Sequence, residues 1–308
     1  MITVVTGGAG FIGSHLVDAL VARGESVVVV DSLAAGSRGN LARHGKDAIR
    51  FVESDLLGDG WQEAFAGAGR VYHLAADPDV RQSALTPESQ VRNNVIATFR
   101  VLEAMRTHGV GEIVFTSTST VYGDARVIPT PENYTPLEPI SVYGATKLSC
   151  EAMISAYCHS FGIQGWIYRF ANIIGERSGH GVIHDFIGKL EQDPRHLEIL
   201  GDGRQTKSYL EVNACVEAML FAPQYAHERV NIFNIGSEDG IDVKNIADIV
   251  VAEMGLSGVE YHFTGGERGW VGDVPRMQLA VERLRSFGWT PRIGSRESVR
   301  QAVRAMLK

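Results

Sequence analysis

The sequence predicts an α/β protein, a doubly wound parallel sheet followed by a smaller C-terminal α/β lobe. Three observations carry that expectation. The chain opens with a short apolar run, Thr3-Val4-Val5-Thr6, that breaks into Gly7, Gly8, Gly10 and Gly13 and resumes as a helical pattern. A second apolar run from Ser26 to Val30 ends in Asp31. Strand-length apolar runs and helix-period segments then alternate to about residue 170, the pattern of consecutive βαβ units.

The opening run is too short for a membrane span and suits a buried parallel strand, while Phe11, Ile12, Leu16 and Leu20 recur at helical spacing. Glycines at this junction let the backbone turn tightly and approach a ligand, so that N–H groups at the helix start point at a phosphate. Gly8, Gly10 and Gly13 satisfy G-x-G-x-x-G, and Gly7, Gly10 and Gly13 satisfy G-x-x-G-x-x-G. Asp31 stands where a carboxylate accepts hydrogen bonds from an adenosine ribose and repels a 2′-phosphate, which favours NAD over NADP. Strand, glycines, helix and acid in register define a Rossmann-type dinucleotide site.

A loop containing Gly36, Ser37, Gly39 and Asn40 leads to a third strand, Ile49 to Val52, closed by Asp55 and Leu56. Val71 to Ala76 reads as a fourth strand whose small terminal residues let a ligand lie close to the backbone. Thr86 and Pro87 open a long helical pattern with Val91, Val95, Phe99, Leu102 and Met105 on one stripe, a core or dimer face, and Asn93 and Asn94 within it. A fifth strand, Glu112 to Phe115, runs into the hydroxyl-rich Thr116-Ser117-Thr118-Ser119-Thr120-Val121-Tyr122-Gly123. After a proline-bearing loop, Ser141 is placed to cap a helix that begins near Tyr143. Gln164 to Phe170 reads as a sixth strand, and beyond it the alternation is lost. Val230 to Ile235 is strand-like again, and Asp242 caps a helix from Val243 to Met254; this pair is expected to pack back on the first lobe. The last helical pattern, Glu297 to Leu307, puts Val299, Val303 and Met306 on one side.

With 308 residues and 44% hydrophobic composition the chain is long enough for one large domain or two ordinary ones. A formal charge of −7 argues against non-specific binding to nucleic acid or anionic membrane. Cys150, Cys158 and Cys215 form an odd set without C-x-x-C spacing, which argues against disulfides and zinc and fits a reducing cytoplasm. The first strand begins at about residue 2, which leaves no room for a signal peptide. His180 and His184 are one helical step apart, but no carboxylate or Cys supports them as metal ligands.

Tyr143 and Lys147 are four apart on an expected helix and so share a face. A positive charge about 6 Å from the phenol, at an effective dielectric of about 20, is worth about 2.8 kcal/mol, or about two pKa units. Lys147 together with an oxidised nicotinamide is expected to bring Tyr143 near neutrality; either alone falls short.

T-G-G-A-G-F-I-G, Asp31, S-T-S-T-V-Y-G and Y-x-x-x-K together resemble the extended short-chain dehydrogenase/reductase family, specifically its nucleotide-sugar enzymes, over nearly the whole chain. The resemblance implies that Tyr143 is the acid/base, that Lys147 binds the nicotinamide ribose and lowers the Tyr143 pKa, and that Thr118 bonds the reacting oxygen. It implies cofactor contacts at Gly7, Gly10, Phe11, Ile12, Gly13, Asp31, Ser32, Leu33, Ala35, Gly36, Asp55, Leu56, Leu74, Ala75, Ala76 and Asn94, besides Tyr143 and Lys147. Asn172, Lys207, Arg268 and Asp273 fall where the family holds the nucleotide diphosphate and ribose, with Thr118 and Tyr143 also touching substrate. Lys207 departs from the commoner Arg, Ala214 from an acidic residue, and Met277 lies near a Tyr that in some relatives restricts the sugar pocket.

Dehydratases and decarboxylases resembling this chain carry a carboxylate just before V-Y-G, where Ser119 and Thr120 stand here. Hydride removal and return at one carbon then remains, which resembles the UDP-galactose 4-epimerases. The implied organisation is an NAD-binding domain of 1–170 plus about 230–255 and a nucleotide-sugar lobe of about 171–229 plus 256–308. The implied oligomer is a homodimer through the Val91–Met105 and Tyr143–Phe161 helices. Open alternatives are another nucleotide-sugar epimerase such as a UDP-N-acetylhexosamine 4-epimerase, a net oxidoreductase, and an NAD-binding regulator.

Overall fold

The computed structural model describes residues 1–45, 48–270 and 272–308. The opening apolar run is strand β1 (Ile2–Thr6), followed by helix α1 (Phe11–Ala22), β2 (Ser26–Asp31), β3 (Ile49–Glu53) and β4 (Ala68–His73). Next come α2 (Pro87–Gln90), a π-helical turn over Val91–Ile96, α3 (Ala97–His108), β5 (Glu112–Thr118), α4 (Val142–Phe161) and β6 (Gln164–Phe170). The later part carries β7 (Asn172–Ile174), α5 (Val182–Gln192), β8 (His196–Ile199), β9 (Thr206–Lys207), β10 (Tyr209–Glu211) and α6 (Val212–Phe221). It closes with β11 (Val230–Ile235), β12 (Ile241–Asp242), α7 (Val243–Glu253), β13 (Glu260–Phe263), β14 (Arg276–Met277), α8 (Glu282–Ser286) and α9 (Ser295–Met306).

Seven strands form one sheet in the order β11-β6-β5-β4-β1-β2-β3, and β1 pairs in parallel with both β2 and β4. The strand order reverses between β1 and β4, the position in such sheets where ligands gather at the strand ends. The β1 residues Val4 and Val5 are fully buried, as are Val29 and Val71 beside them, so near-continuous apolar runs are what this sheet requires. β4 ends at His73, so Leu74, Ala75 and Ala76, read from sequence as strand, form the turn after it.

The chain divides into two compact units. The first comprises 1–121, 141–169 and 219–233, and its core gathers Trp61, Phe65, Leu102, Met105, Phe115 and Ile167. The second comprises 122–140, 170–218 and 234–308, with Phe186, Leu197, Ile246, Val250, Val299 and Val303 in its core.

This division corrects the sequence expectation in three places. Segment 122–140 belongs to the second unit, where Tyr122 Oη donates to Asn234 Oδ1 at 2.8 Å and the Thr130 N–H donates to Gln278 O at 2.8 Å. Segment 219–229 belongs to the first, where Trp166 Nε1 donates to Ala226 O at 2.9 Å. β11 extends the large sheet as expected, but α7 does not follow it, because its apolar residues Ile246, Ala247, Ile249 and Val250 pack in the cluster formed with α5 and α9. The cap itself stands as read: Asp242 accepts from the Asn245 N–H at 2.7 Å.

Losing that cap should cost about 1 kcal/mol, the usual worth of an N-cap carboxylate. Urea unfolding of Asp242→Ala should show this loss with NAD affinity unchanged; a loss under about 0.3 kcal/mol would refute the assignment.

Candidate active site

The turn after β1 is built on contacts that only glycine permits. A Cβ on Gly13 would lie 2.1 Å from Gly7 O, and one on Gly7, whose φ is +72°, would lie 2.6 Å from the Ala75 nitrogen. Backbone therefore lies against backbone where β1 and β4 part, and α1 starts with Gly10 extended and its first N–H groups unclaimed by any side-chain cap. A pyrophosphate fits this cradle because the groups that would meet it are N–H donors with no Cβ in the way. Ala9 N–H donates to Asp31 Oδ2 at 2.9 Å and Leu33 N–H to Asp31 Oδ1 at 2.8 Å. Asp31 thus ties the glycine turn to the end of β2, and each carboxylate oxygen keeps lone-pair capacity for a ribose hydroxyl.

The other cofactor-side residues separate by what they can offer. A Cβ on Gly36 would lie 2.8 Å from the Ala9 carbonyl carbon, so Gly36 is needed for its loop to rest on the turn. Phe11, Ile12, Leu33, Leu74, Ala75 and Ala76 are half-buried, while Ser32 and Ala35 are exposed. Asp55 is exposed and accepts from the Leu57 N–H at 2.8 Å. Leu56 is buried in the first core, so its side chain is committed to packing and only its backbone is left to meet a cofactor.

β5 and α4 supply the chemistry. Ser141 caps α4, accepting from the Gly144 N–H at 3.1 Å, and the helix carries Tyr143 and Lys147 on one face. Thr118, the last residue of β5, stands near enough to the Tyr143 phenol for its hydroxyl to favour ionisation of that group. Burial pushes the Tyr143 pKa above its ordinary value, the Cys150 thiol and Asp77 add to that, and the Thr118 hydroxyl opposes it. The protein's own groups therefore hold this phenol more weakly acidic than normal, and the expected lowering is one that needs Lys147 and an oxidised nicotinamide together. Lys147 is 3% exposed, with its ammonium 4.5 Å from the centre of the Phe115 ring. Burial draws it down to about 8, against the pull of Cys150 and Glu151.

Asn94 lies in the π-helical turn, a distortion often found at functional sites. Its Oδ1 accepts from the Asp77 N–H at 2.8 Å, and its Nδ2 donates to Gln90 Oε1 and Thr146 Oγ1 at 3.0 Å each. Thr146 in turn donates to Tyr143 O at 2.8 Å, so Asn94 braces the first turn of α4.

Sequence reasoning missed the group beneath this pair. Glu151 and Arg169 are buried, 2.7 Å apart from Oε2 to Nη2, with Arg169 Nε 3.1 Å and 3.2 Å from the two carboxylate oxygens; Ser117 Oγ donates to Glu151 Oε1. The signal was present as a further step of four, Tyr143, Lys147, Glu151, on one helix face. His73 was also missed. It is fully buried, bonded to Thr6 Oγ1 at 2.7 Å and Thr98 Oγ1 at 2.9 Å, and burial depresses its pKa to about 3.

In the second unit, Lys207 Nζ lies 2.6 Å from the buried carboxylate of Asp273, whose other oxygen accepts from the Gly269 N–H at 3.0 Å. Arg268 donates to Asp273 O at 2.5 Å and pairs with Asp124 at 2.8 Å. Three of the four expected nucleotide residues are therefore one cluster. Asn172 stands in β7, its amide donating to Ser208 O at 3.2 Å, and Glu211, three positions before Ala214, supplies the carboxylate that caps the start of α6.

Together these features define a dinucleotide-binding protein with a Thr-Tyr-Lys centre at the ends of its central strands. Residues 3–236 match the NAD dependent epimerase/dehydratase family, and the chain belongs to that family. NAD is its cofactor. A putative UDP-glucose 4-epimerase of Methanocaldococcus jannaschii is 34% identical over 98% of this chain and 97% of that protein. A crystal structure of a UDP-galactose 4-epimerase is 43% identical with a TM-score of 0.88, covering 99% of this chain and 98% of that one. The UDP-glucose 4-epimerase of Thermus thermophilus, solved in complex with NAD, is 32% identical with a TM-score of 0.87, over 99% and 98%.

Two outcomes test the electrostatics. Arg169→Ala leaves Glu151 buried and unpaired, so denaturant unfolding should show a loss of about 3–5 kcal/mol; a loss below about 1 kcal/mol would mean the pair is not needed. Lys147 binds fewer protons folded than unfolded between about 8 and its ordinary 10.5, so its burial cost is full below about 8 and fades as pH rises through that window. Lys147→Met should accordingly be more stable than the parent near neutral pH, with the advantage shrinking as pH approaches about 10; a pH-independent difference contradicts this.

Proposed function

We propose that the protein is a reversible 4-epimerase of a UDP-hexose, with UDP-galactose and UDP-glucose as the pair interconverted. The observation that carries this reading is the placing of Thr118 beside the Tyr143 phenol with hydroxyls, not carboxylates, at Ser119 and Thr120. Eliminating water from the ring requires a carboxyl at that place to move protons, and removing a carboxylate from C5 uses the same position in resembling enzymes. Neither step has a group to perform it here.

NAD, when bound, supplies the acceptor and then the donor of the C4 hydride. Tyr143 takes the proton of the sugar 4-hydroxyl and returns it when the configuration has inverted. Thr118 bonds the Tyr143 oxygen and keeps the reacting oxygen against it. Lys147 bonds the nicotinamide ribose and keeps a positive charge near the phenol, offsetting the burial and the Asp77 charge that oppose ionisation. Asn172, Lys207, Arg268 and Asp273 bind the UDP moiety, so the nucleotide is anchored while the 4-keto sugar turns. The glycine turn, Asp31 and the Leu74–Ala76 turn retain the cofactor, which is neither consumed nor exchanged.

The same reading includes a homodimer joined through Val91–Met105 and the Tyr143–Phe161 helix, in the cytoplasm, in galactose metabolism. Supporting it, Val91, Phe99 and Phe161 are 43%, 43% and 51% exposed although large and apolar. Tolerance of N-acetylated hexoses is favoured by Met277, a slender side chain beside Lys207 in the β9–β14 pair.

Incubated with UDP-galactose and no added reductant, the purified protein should form UDP-glucose, and Tyr143→Phe should reduce turnover at least a hundredfold with NAD retained. Accumulating NADH and a ketosugar would instead identify an oxidoreductase, and bound NAD with unchanged sugars a regulator. Supplying UDP-N-acetylgalactosamine in parallel decides the acyl question.

A further inference from the structure

Thr118 Oγ1 accepts two hydrogen bonds from one residue, the Thr120 N–H at 3.2 Å and Thr120 Oγ1 at 3.2 Å. A hydroxyl has two acceptor lone pairs and one proton. With both lone pairs filled, the Thr118 proton is left for the Tyr143 oxygen, whose ionisation Thr118 favours. When the phenol carries its own proton the chain reverses: Tyr143 donates to Thr118, and Thr118 turns its proton to Thr120 Oγ1. The Thr120 N–H occupies one lone pair in both states and keeps the rotor to these two settings.

We infer that Thr120 is a positioning residue that orients Thr118 as a donor to the ionised form of Tyr143, so that the phenolate receives a hydrogen bond without a second negative charge beside it. The inference rests on the assignment of Tyr143 as the proton-transfer group. It matters because the surroundings oppose ionisation. The titratable groups about the Tyr143–Lys147 pair are Lys147, Cys150 and Glu151 on α4, His73 on β4, Asp77 after it, and Arg169 on β6. The charge of Asp77 already opposes ionisation of the phenol, and a carboxylate at position 120 would add to that. Thr120 brings a hydroxyl and a backbone N–H and no charge.

The test compares the NAD-loaded parent with Thr120→Val, which keeps the shape and removes the hydroxyl, and with Thr120→Ser, which keeps the hydroxyl. Tyrosine ionisation is followed by ultraviolet difference titration, with Tyr143→Phe identifying the Tyr143 component, and the acid limb of the kcat–pH profile is measured on UDP-galactose. Thr120→Val should raise the Tyr143 midpoint and the acid limb together by about half to one pH unit, a three- to tenfold loss of phenolate at fixed pH. KM should stay unchanged and Thr120→Ser should restore the parent values. A Thr120→Val midpoint equal to the parent's, or a fall in kcat equal at every pH, overturns the inference. Because the titration needs no substrate, absence of turnover on UDP-hexoses with a shifted midpoint would sink the substrate assignment and leave the positioning role standing.

Discussion

Burying the ammonium of Lys147 is the constraint on which the rest of the first unit depends. A lysine with almost no solvent contact either loses its proton or is compensated nearby. Here the compensation is graded. The Phe115 ring faces the ammonium at 4.5 Å, and Glu151, one turn further along the helix, supplies a negative charge. That carboxylate is itself buried, so it requires Arg169 and Ser117, and these come from the two strands on which the helix lies. One buried charge has recruited three further residues, and together they pin α4 to β5 and β6.

The dinucleotide half of the unit answers a different demand, close approach of backbone to backbone. Asp31 stands where a ribose ligand belongs, yet in this chain it also bonds Ala9 and Leu33, so the same carboxylate shapes the turn that it faces. His73 works similarly from β4. Held neutral between Thr6 and Thr98, it fixes the hydroxyl of Thr6, which in turn accepts from the Ala75 N–H at 3.4 Å beside the glycine turn. Polar groups buried with full partnership make a rigid wall for a ligand that binds mostly through backbone.

Much of this was legible in the residues, and the limits have physical causes. Period and turn chemistry located β1, β2, β6 and their helices closely, because buried parallel strands are nearly all apolar and end in glycine or a capping residue. The strand end at His73 was placed three residues late, since Leu74, Ala75 and Ala76 are as apolar as the strand they follow. The helix after β11 was assigned to the wrong unit because an apolar stripe records that a face is buried and not against what. Tyr143 and Lys147 were visible by spacing. Arg169 was not, because an arginine inside a strand reads as a solvated edge until its carboxylate partner is placed. The π-helical turn at Asn94 leaves no mark in a pattern of threes and fours.

The cluster proposed to bind the nucleotide in the second unit is held together by its own carboxylates. Lys207 and Arg268 are matched by Asp273 and Asp124, so the cluster carries no net charge of its own. The two pairs are unequal. Asp273 is 3% exposed and its second oxygen is bonded to backbone, so it is a fixed support for Lys207. Asp124 and Arg268 meet with side chains 47% and 42% exposed, where an ion pair is worth little and water competes for both partners. On the proposed reading a diphosphate takes Arg268 from Asp124, exchanging one exposed carboxylate for a more highly charged ligand at small cost, while Lys207 stays where Asp273 has placed it. The planar guanidinium is the group that can re-form two parallel bonds to phosphate oxygens after such an exchange, and the lysine, as a point charge, needs only to be held in place.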